Sequence, residues 1–181
     1  MKVAVRFSIL LCLLSAVVFP SSLPAADLVL NGAHSQVFFS PRGGCTEAIV
    51  RQIDGARSEL LVQAYSFTSR EIAAALLRAH KRGVRVRIIL DKSNRSAKYS
   101  SADFAAHAGI PTFIDARHAI AHNKIMILDR ETVITGSFNF TRAAEESNAE
   151  NVLVIRSRDL AGLYRDNWEA HRAHSEPYRG K

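Results

Sequence analysis

A chain of 181 residues, 48% apolar and 23% charged, is long enough for one domain with its own core and too apolar for a disordered polyelectrolyte. Its formal charge of +7 suits a polyanionic partner but excludes few functions. With only two cysteines, Cys12 in an apolar N-terminal run and Cys45, no disulfide framework is expected.

The chain opens with Lys2 and Arg6, continues with an almost wholly apolar run over residues 7–19, and then has prolines and small residues up to Ala26. That order predicts a secretory signal peptide over residues 1–26, cut after Ala25 or Ala26, and a periplasmic or secreted product. The run is short for a membrane span, so no stable membrane insertion is expected after cleavage. Loss of Lys2 and Arg6 leaves an excess of about +5, which still favours nucleic acid or an anionic surface.

Residues 27–35 read as a leader, residues 36–176 as a single domain and residues 177–181 as a tail. Gln36–Phe39 reads as a short strand and residues 41–44 as a turn. Cys45, Ile49, Ile53 and Ala56 make one apolar helix face, with Cys45 expected to be buried. Residues 60–67 form a mostly apolar run, a strand buried on both sides, with Tyr65 and Ser66 at its end beside the site described below. Thr68 and Glu71 have the spacing of a capping box, which predicts Thr68 as the cap of a helix ended by Gly83.

Residues 84–90 alternate apolar with Arg85 and Arg87, a strand with one buried face. The polar segment 91–101 places Lys92, Arg95 and Lys98 around Tyr99, a combination that can track a nucleic-acid backbone and stack on a base. A short helix to residue 108 and a strand over 110–115 follow. Residues 140–149 read as a polar loop, residues 150–155 as a strand, and Ser157 as the cap of a last helix ended by Pro177. Alternating strands and helices, then a run of strands, predict an α/β fold: a mixed β-sheet flanked by helices on both faces.

The remaining stretch, residues 119–139, carries the chemistry. It holds His122, Lys124, Asp129, Gly136, Ser137 and Asn139 as H-x-K-x4-D-x6-G-S-x-N, with apolar runs between the polar positions. These runs predict two strands joined by a turn at residues 129–131. Side chains two apart on a strand share a face, roughly 6.5–7 Å apart, so His122 and Lys124 point the same way. A hairpin brings Ser137 and Asn139 back beside them. Asp129 lies in the turn, away from the other four. An imidazole, an ammonium, a hydroxyl and an amide converging on one place suit a phosphate: donors around a potential nucleophile.

This pattern resembles the signature of the phospholipase D superfamily and matches it at each fixed position. Residues 40–94 resemble the N-terminal half of the small single-motif bacterial nucleases of that superfamily, so with the motif and the C-terminal part the likeness covers most of the chain after residue 35. The resemblance implies the phospholipase D/nuclease-like fold and a phosphodiesterase that works through a phosphohistidine without a metal or other cofactor. Large members carry two motif copies; one H-x-K occurs here, and the small nucleases complete their site by forming a homodimer.

The catalytic set implied is His122 as nucleophile and Lys124 as phosphate ligand, with Ser137 and Asn139 also on the phosphate. Glu150, matching an acidic residue before the strand that follows the motif, is implied as the acceptor that orients the imidazole. Asp129 and Gly136 are assigned to structure. No Cys/His cluster has zinc-ligand spacing, so no metal site is expected. The expected function is a secreted non-specific endonuclease acting on DNA, RNA or both. A hydrolase of phospholipid head groups is the alternative, and a nucleic-acid-binding module with a degenerate site is a third reading that the complete motif disfavours.

Overall fold

A computed structural model describes residues 25–98 and 100–181. Most of the expected signal peptide, with Cys12, and the expected base-stacking residue Tyr99 lie outside the described residues.

The elements in chain order are β1 (Ser35–Phe39), α1 (Cys45–Gly55), β2 (Glu59–Ala64), α2 (Arg70–Lys81), β3 (Arg85–Asp91), a single 3-10 turn at Lys92–Arg95, α3 (Ala102–His107), β4 (Thr112–Asp115), β5 (Lys124–Leu128), β6 (Thr132–Gly136), α4 (Arg142–Glu146), β7 (Asn151–Arg156), α5 (Arg158–His174) and β8 (Glu176–Tyr178). All eight strands form one sheet in the order β1-β7-β6-β5-β2-β3-β4-β8. Strands β2, β3 and β4 run parallel, and the other pairings are antiparallel.

The mostly apolar run of β2 reflects burial on both sides, and Gln63 within it is buried too. Leu60 and Val62 face the α1–α2 side with Ile49, Ile53, Ile72 and Leu76. Leu61 faces the other side, where Ile89, Phe113 and Ile127 meet Ala161 and Trp168 of α5. The Trp168 indole donates to the Val62 carbonyl at 2.9 Å, so the polar atom of the largest buried side chain is satisfied. Truncating it would cost roughly 3–5 kcal/mol. The expected mixed sheet with helices on both faces is the observed architecture.

Four local expectations change. The cap of α2 is Ser69, which accepts from the Ile72 amide at 3.3 Å, and the Thr68 and Ser69 amides both donate to the Phe140 carbonyl at 2.9 Å. The predicted strand over residues 60–67 ends at Ala64, one residue beyond which the Tyr65 amide still donates to the Asn123 carbonyl at 2.9 Å in the register that sets Ala64 against Lys124. The polar loop after Asn139 contains α4, capped by Thr141; Glu145 on it accepts from the Gly44 and Thr46 amides at 3.1 and 2.6 Å and satisfies the start of α1. The last helix stops at His174, and Pro177 lies inside β8, opposite Phe113 on the sheet edge where proline is tolerated. The sheet therefore runs into the segment assigned to the tail, and at the other end Ser35, assigned to the leader, pairs with Ile155.

Candidate active site

The motif forms a hairpin of β5 and β6, with Met126 opposite Ile134. Continuing that register sets the start of β5 against the end of β6. Ala64, the last residue of β2, pairs with Lys124, and Gly136 pairs with Val152 near the start of β7. The C-terminal end of β2, the N-terminal ends of β5 and β7 and the C-terminal end of β6 thus share one edge of the sheet. In open α/β sheets, the carboxyl ends of the parallel strands are where ligands bind.

Two groups of side chains meet at this edge. In the first, the exposed His122 ring lies 4.5 Å, centroid to centroid, from the Tyr65 ring at an interplanar angle of 52°. The Lys124 ammonium lies 5.2 Å from the Tyr65 centroid and donates to the His122 carbonyl at 2.8 Å. Lys124 is only 8% exposed. Burial lowers its pKa from the ordinary lysine value, and the nearby Glu150 carboxylate partly offsets that.

In the second group, the Ser137 hydroxyl donates to Glu150 Oε2 at 2.5 Å and accepts from the Asn151 amide at 3.1 Å. Asn148 donates to Glu150 Oε1 at 3.1 Å. Ser40 fixes the backbone here: its hydroxyl accepts from the Glu150 amide at 3.1 Å and donates to the Asn148 carbonyl at 2.9 Å. Gly136 allows the close approach behind this group. Its φ is +149°, and a Cβ there would sit 2.2 Å from the Asn151 carbonyl oxygen. Asn139 is partly exposed as a residue, but its side-chain oxygen is buried without a partner.

The fold thus joins His122, Lys124 and Tyr65 by direct contact, joins Ser137 to Glu150, and couples the two groups through the Lys124–Glu150 attraction. Both Glu150 oxygens are taken by Ser137 and Asn148, and among the described residues no hydrogen bond joins Glu150 to His122 of the same chain. Ser137 spends its proton on Glu150, so it must rotate before it can donate to a phosphate. Asp129 lies at the far end of the hairpin with φ +52°. Its carboxylate accepts from the amides of Arg57, Ser58 and Glu59 and from the Ser58 hydroxyl, at 2.7–3.2 Å. Burial raises its pKa, and these bonds outweigh that and hold it below the ordinary value.

The basic segment after β3 is less open than its sequence predicts. Lys92 donates to the His118 carbonyl at 3.1 Å, and Arg95 pairs with Glu176 at 2.6 Å. Lys98 also has a contact within the protein. Tyr65, Ser40 and Asn148 join the site through backbone turns, and only Tyr65 had a sequence signal, its place at the end of a buried run.

No metal-ligand spacing is visible along the chain, yet the fold gathers Asp115, His118, His171 and His174, with one potential ligand atom from each all within 4.8 Å of one another. Its trace in the sequence is two pairs spaced i, i+3, D-x2-H and H-x2-H, separated by 52 intervening residues. Burial pushes the Asp115 carboxyl up, but hydrogen bonds with His171 and His118, the nearby His174 imidazole and the Arg117 amide outweigh it and bring it down to about 2.

A family model described as "Cardiolipin synthase, PLD-like domain" matches residues 49–172. A "Phospholipase D" of Rickettsia felis is 49% identical over 130 residues, which are 72% of this chain and 65% of that protein. The chain therefore spans somewhat less than two thirds of that relative's length. The mouse "Mitochondrial cardiolipin hydrolase" is 33% identical over 121 residues, 67% of this chain and 55% of that protein. Among solved structures, a phospholipase D family member, Nuc from Salmonella typhimurium, superposes with a TM-score of 0.79 at 38% identity, covering 82% of this chain and 99% of that one.

Proposed function

The chain belongs to the phospholipase D superfamily, and from that premise we propose that it is an exported, non-specific endonuclease cutting DNA, RNA or both, by covalent histidine catalysis in a site shared by two copies. The observation that carries the proposal is the exposed His122 imidazole set beside the largely buried Lys124 ammonium at the edge where Ser137 and Glu150 meet.

The chemistry follows from the donor set. A phosphodiester repels nucleophiles, so a cation must first neutralise it; Lys124 does so from a site where burial strengthens its field. Neutral His122 attacks phosphorus and forms the P–N bond. The P–O bond to the leaving group breaks, and that oxygen takes its proton from a second, protonated imidazole. Water then attacks the phosphohistidine, giving its proton to the second imidazole, and His122 leaves. The second imidazole is assigned to His122 of another copy, and Glu150, prepositioned by Ser137 and Asn148, to an imidazole of the closed site. No step needs a metal. The exposed Ile120, 56% accessible and two residues before His122, gives the proposed contact an apolar element.

Nucleic acid is favoured by the basic balance of the chain and by the exposure of His122, which leaves room for a polymer. The printed names of the relatives favour a second reading, hydrolysis of a phospholipid such as cardiolipin. Among the described residues no helix is long and apolar enough to cross a membrane.

Purified protein lacking residues 1–26, with plasmid DNA, RNA, and vesicles of phosphatidylcholine or cardiolipin, each with and without EDTA at 25 °C, separates the readings. Cleavage of DNA or RNA that survives EDTA and weakens steeply with salt is expected. Turnover of lipid alone would replace the nuclease reading, and cleavage lost to EDTA in a still folded protein and restored by magnesium would remove the covalent histidine route.

A further inference from the structure

Asp115, His118, His171 and His174 take no part in the chemistry above. We propose that they form a closed site for one late first-row divalent cation, zinc by preference, that staples the loop leading to His122 onto α5. The proposal does not rest on the nuclease reading.

Parity explains why the four side chains meet. Phe113 of β4 packs on the α5 side of the sheet, and Asp115, two residues on, faces the same way. Trp168 lies in that interface, and His171 and His174 follow it at intervals of three along α5. His118 comes back from the loop after β4. Arg172 lies 3.5 Å from the Phe113 centroid and holds the last turn of α5 against the strand.

The spacing is that of a coordination shell. Asp115 Oδ2 lies 2.7 Å from His171 Nδ1, 3.1 Å from His118 Nδ1 and 3.3 Å from His174 Nε2. A tetrahedral ion with bonds of about 2.0–2.1 Å has ligand–ligand edges of about 3.3 Å. The three imidazole centroids lie 4.8–5.4 Å apart, so the nitrogens need only small movements to close on one ion. Asp115 is fully buried, and its Oδ1 accepts from the Arg117 amide at 3.1 Å, the outer contact that orients a ligating carboxylate.

His174 Nε2 supplies an independent observation. It is buried and makes no hydrogen bond; its approach to Asp115 has the distance of one without the direction. A buried imidazole nitrogen aimed at a carboxylate and two further imidazoles lacks a partner that an ion would provide. Three imidazoles and one carboxylate are zinc's ligand types, with no thiolate to favour a softer ion. Four protein ligands leave no open position, which makes the site structural. The loop it would clamp is otherwise held by the Lys92–His118 contact and by the Ala121 amide donating to Asp91 at 2.8 Å.

The test uses protein without residues 1–26 and freed of any histidine tag, stripped by chelator and dialysed. Titration with zinc chloride should load about one ion per chain after gel filtration. It should raise the melting temperature by about 5–10 °C at hundredfold saturation, while magnesium does nothing. Cobalt(II) should give the intense visible bands of a tetrahedral site. His118→Ala, whose side chain is 40% exposed and whose loss the fold should tolerate, and His171→Ala should each weaken binding at least about 100-fold, and His34→Ala should leave it intact. Wild-type protein that retains no zinc and melts at one temperature with or without it would overturn the site and leave a histidine–carboxylate ion pair. Full zinc binding by both cluster variants would overturn it too. Neither result bears on His122, because turnover is assayed separately below the melting point of the stripped protein.

Discussion

Lys124 holds a positive charge where little water reaches it, and its stability and its function pull in opposite directions. Its folded-state pKa is depressed, so the charged form is penalised below that value, and the penalty is relieved as pH rises from the lowered pKa toward the ordinary lysine range. Lys124→Met should therefore stabilise the protein at neutral pH by about 1 kcal/mol, with the gain shrinking as alkaline pH discharges the wild-type lysine. The same variant should lose both turnover and phosphate affinity. Urea melts from pH 7 to 10.5 decide this; a Met variant weaker than wild type throughout would mean that the lysine's contacts with Tyr65 and the His122 carbonyl outweigh its desolvation. His122 is the converse case. Its ring is exposed and its ring contact is with Tyr65, so His122→Ala should shift stability by no more than about 0.5 kcal/mol. Its turnover should fall by more than about 10⁴-fold with nucleic-acid affinity kept. An active, folded His122→Ala protein would remove the nucleophile from the mechanism. Lys124 was legible as a strand residue, whereas strand parity does not reach His122, which lies just ahead of β5 and is placed beside Lys124 by its two-residue separation. The hydroxyl direction of Ser137 was not legible, since it depends on a carboxylate thirteen residues away.

The hairpin depends on its turn, and the turn depends on Asp129. Four groups from Arg57, Ser58 and Glu59 converge on that one carboxylate and tie the β5–β6 turn to the start of β2. Because the folded pKa lies below the unfolded one, this stability is fully present above the ordinary aspartate range and is lost as pH falls through the lowered value. Asp129→Asn should cost about 1–3 kcal/mol at pH 7, and the gap to wild type should close below about pH 4. It should leave the catalytic edge competent, so the variant, assayed cold, should keep most of its turnover. Loss of turnover in a folded Asp129→Asn protein would place the carboxylate in the chemistry instead. At this scale the sequence was read well where periodicity and capping are local, as in α1, β5, β6 and the Ser157 cap of α5. It was read poorly where a distant partner decides. Helix α4 is short, and Glu145 on it is committed to the start of α1, about a hundred residues earlier. Strand β8 exists only because β4 offers an open edge, which no local pattern announces. The Asp115 cluster escaped for the same reason, being assembled from a strand end, a loop and a helix.

One copy of the motif supplies one reactive imidazole, whereas the chemistry assigned to the whole molecule requires two at one phosphorus. A two-fold axis through the catalytic edge would supply both, one as nucleophile and one as acid, and two-fold dimers are the commonest assemblies. The edge suits such an axis, with His122 exposed, Ile120 beside it and Glu150 held ready by Ser137 and Asn148 rather than bound to the same chain's imidazole. The consequence can be measured in a mixed dimer of wild type and His122→Ala. Each such dimer lacks one of the two histidines of its single shared site and should be inactive. Equal co-expression with random pairing would then leave roughly a quarter of the dimers active. Complete sites in each subunit, or active monomers, would leave roughly half the activity instead. Two different affinity tags, both cleaved before assay, isolate the mixed species, and DNA cleavage by that species alone is the readout. A mixed dimer running at half the wild-type rate would show that each chain carries a whole site. The second imidazole would then have to come from the same chain, and substituting its other histidines one at a time, those of the Asp115 cluster included, would identify it. A silent mixed dimer, with both parent dimers equally folded, supports the shared site and leaves the cluster free for its structural ion.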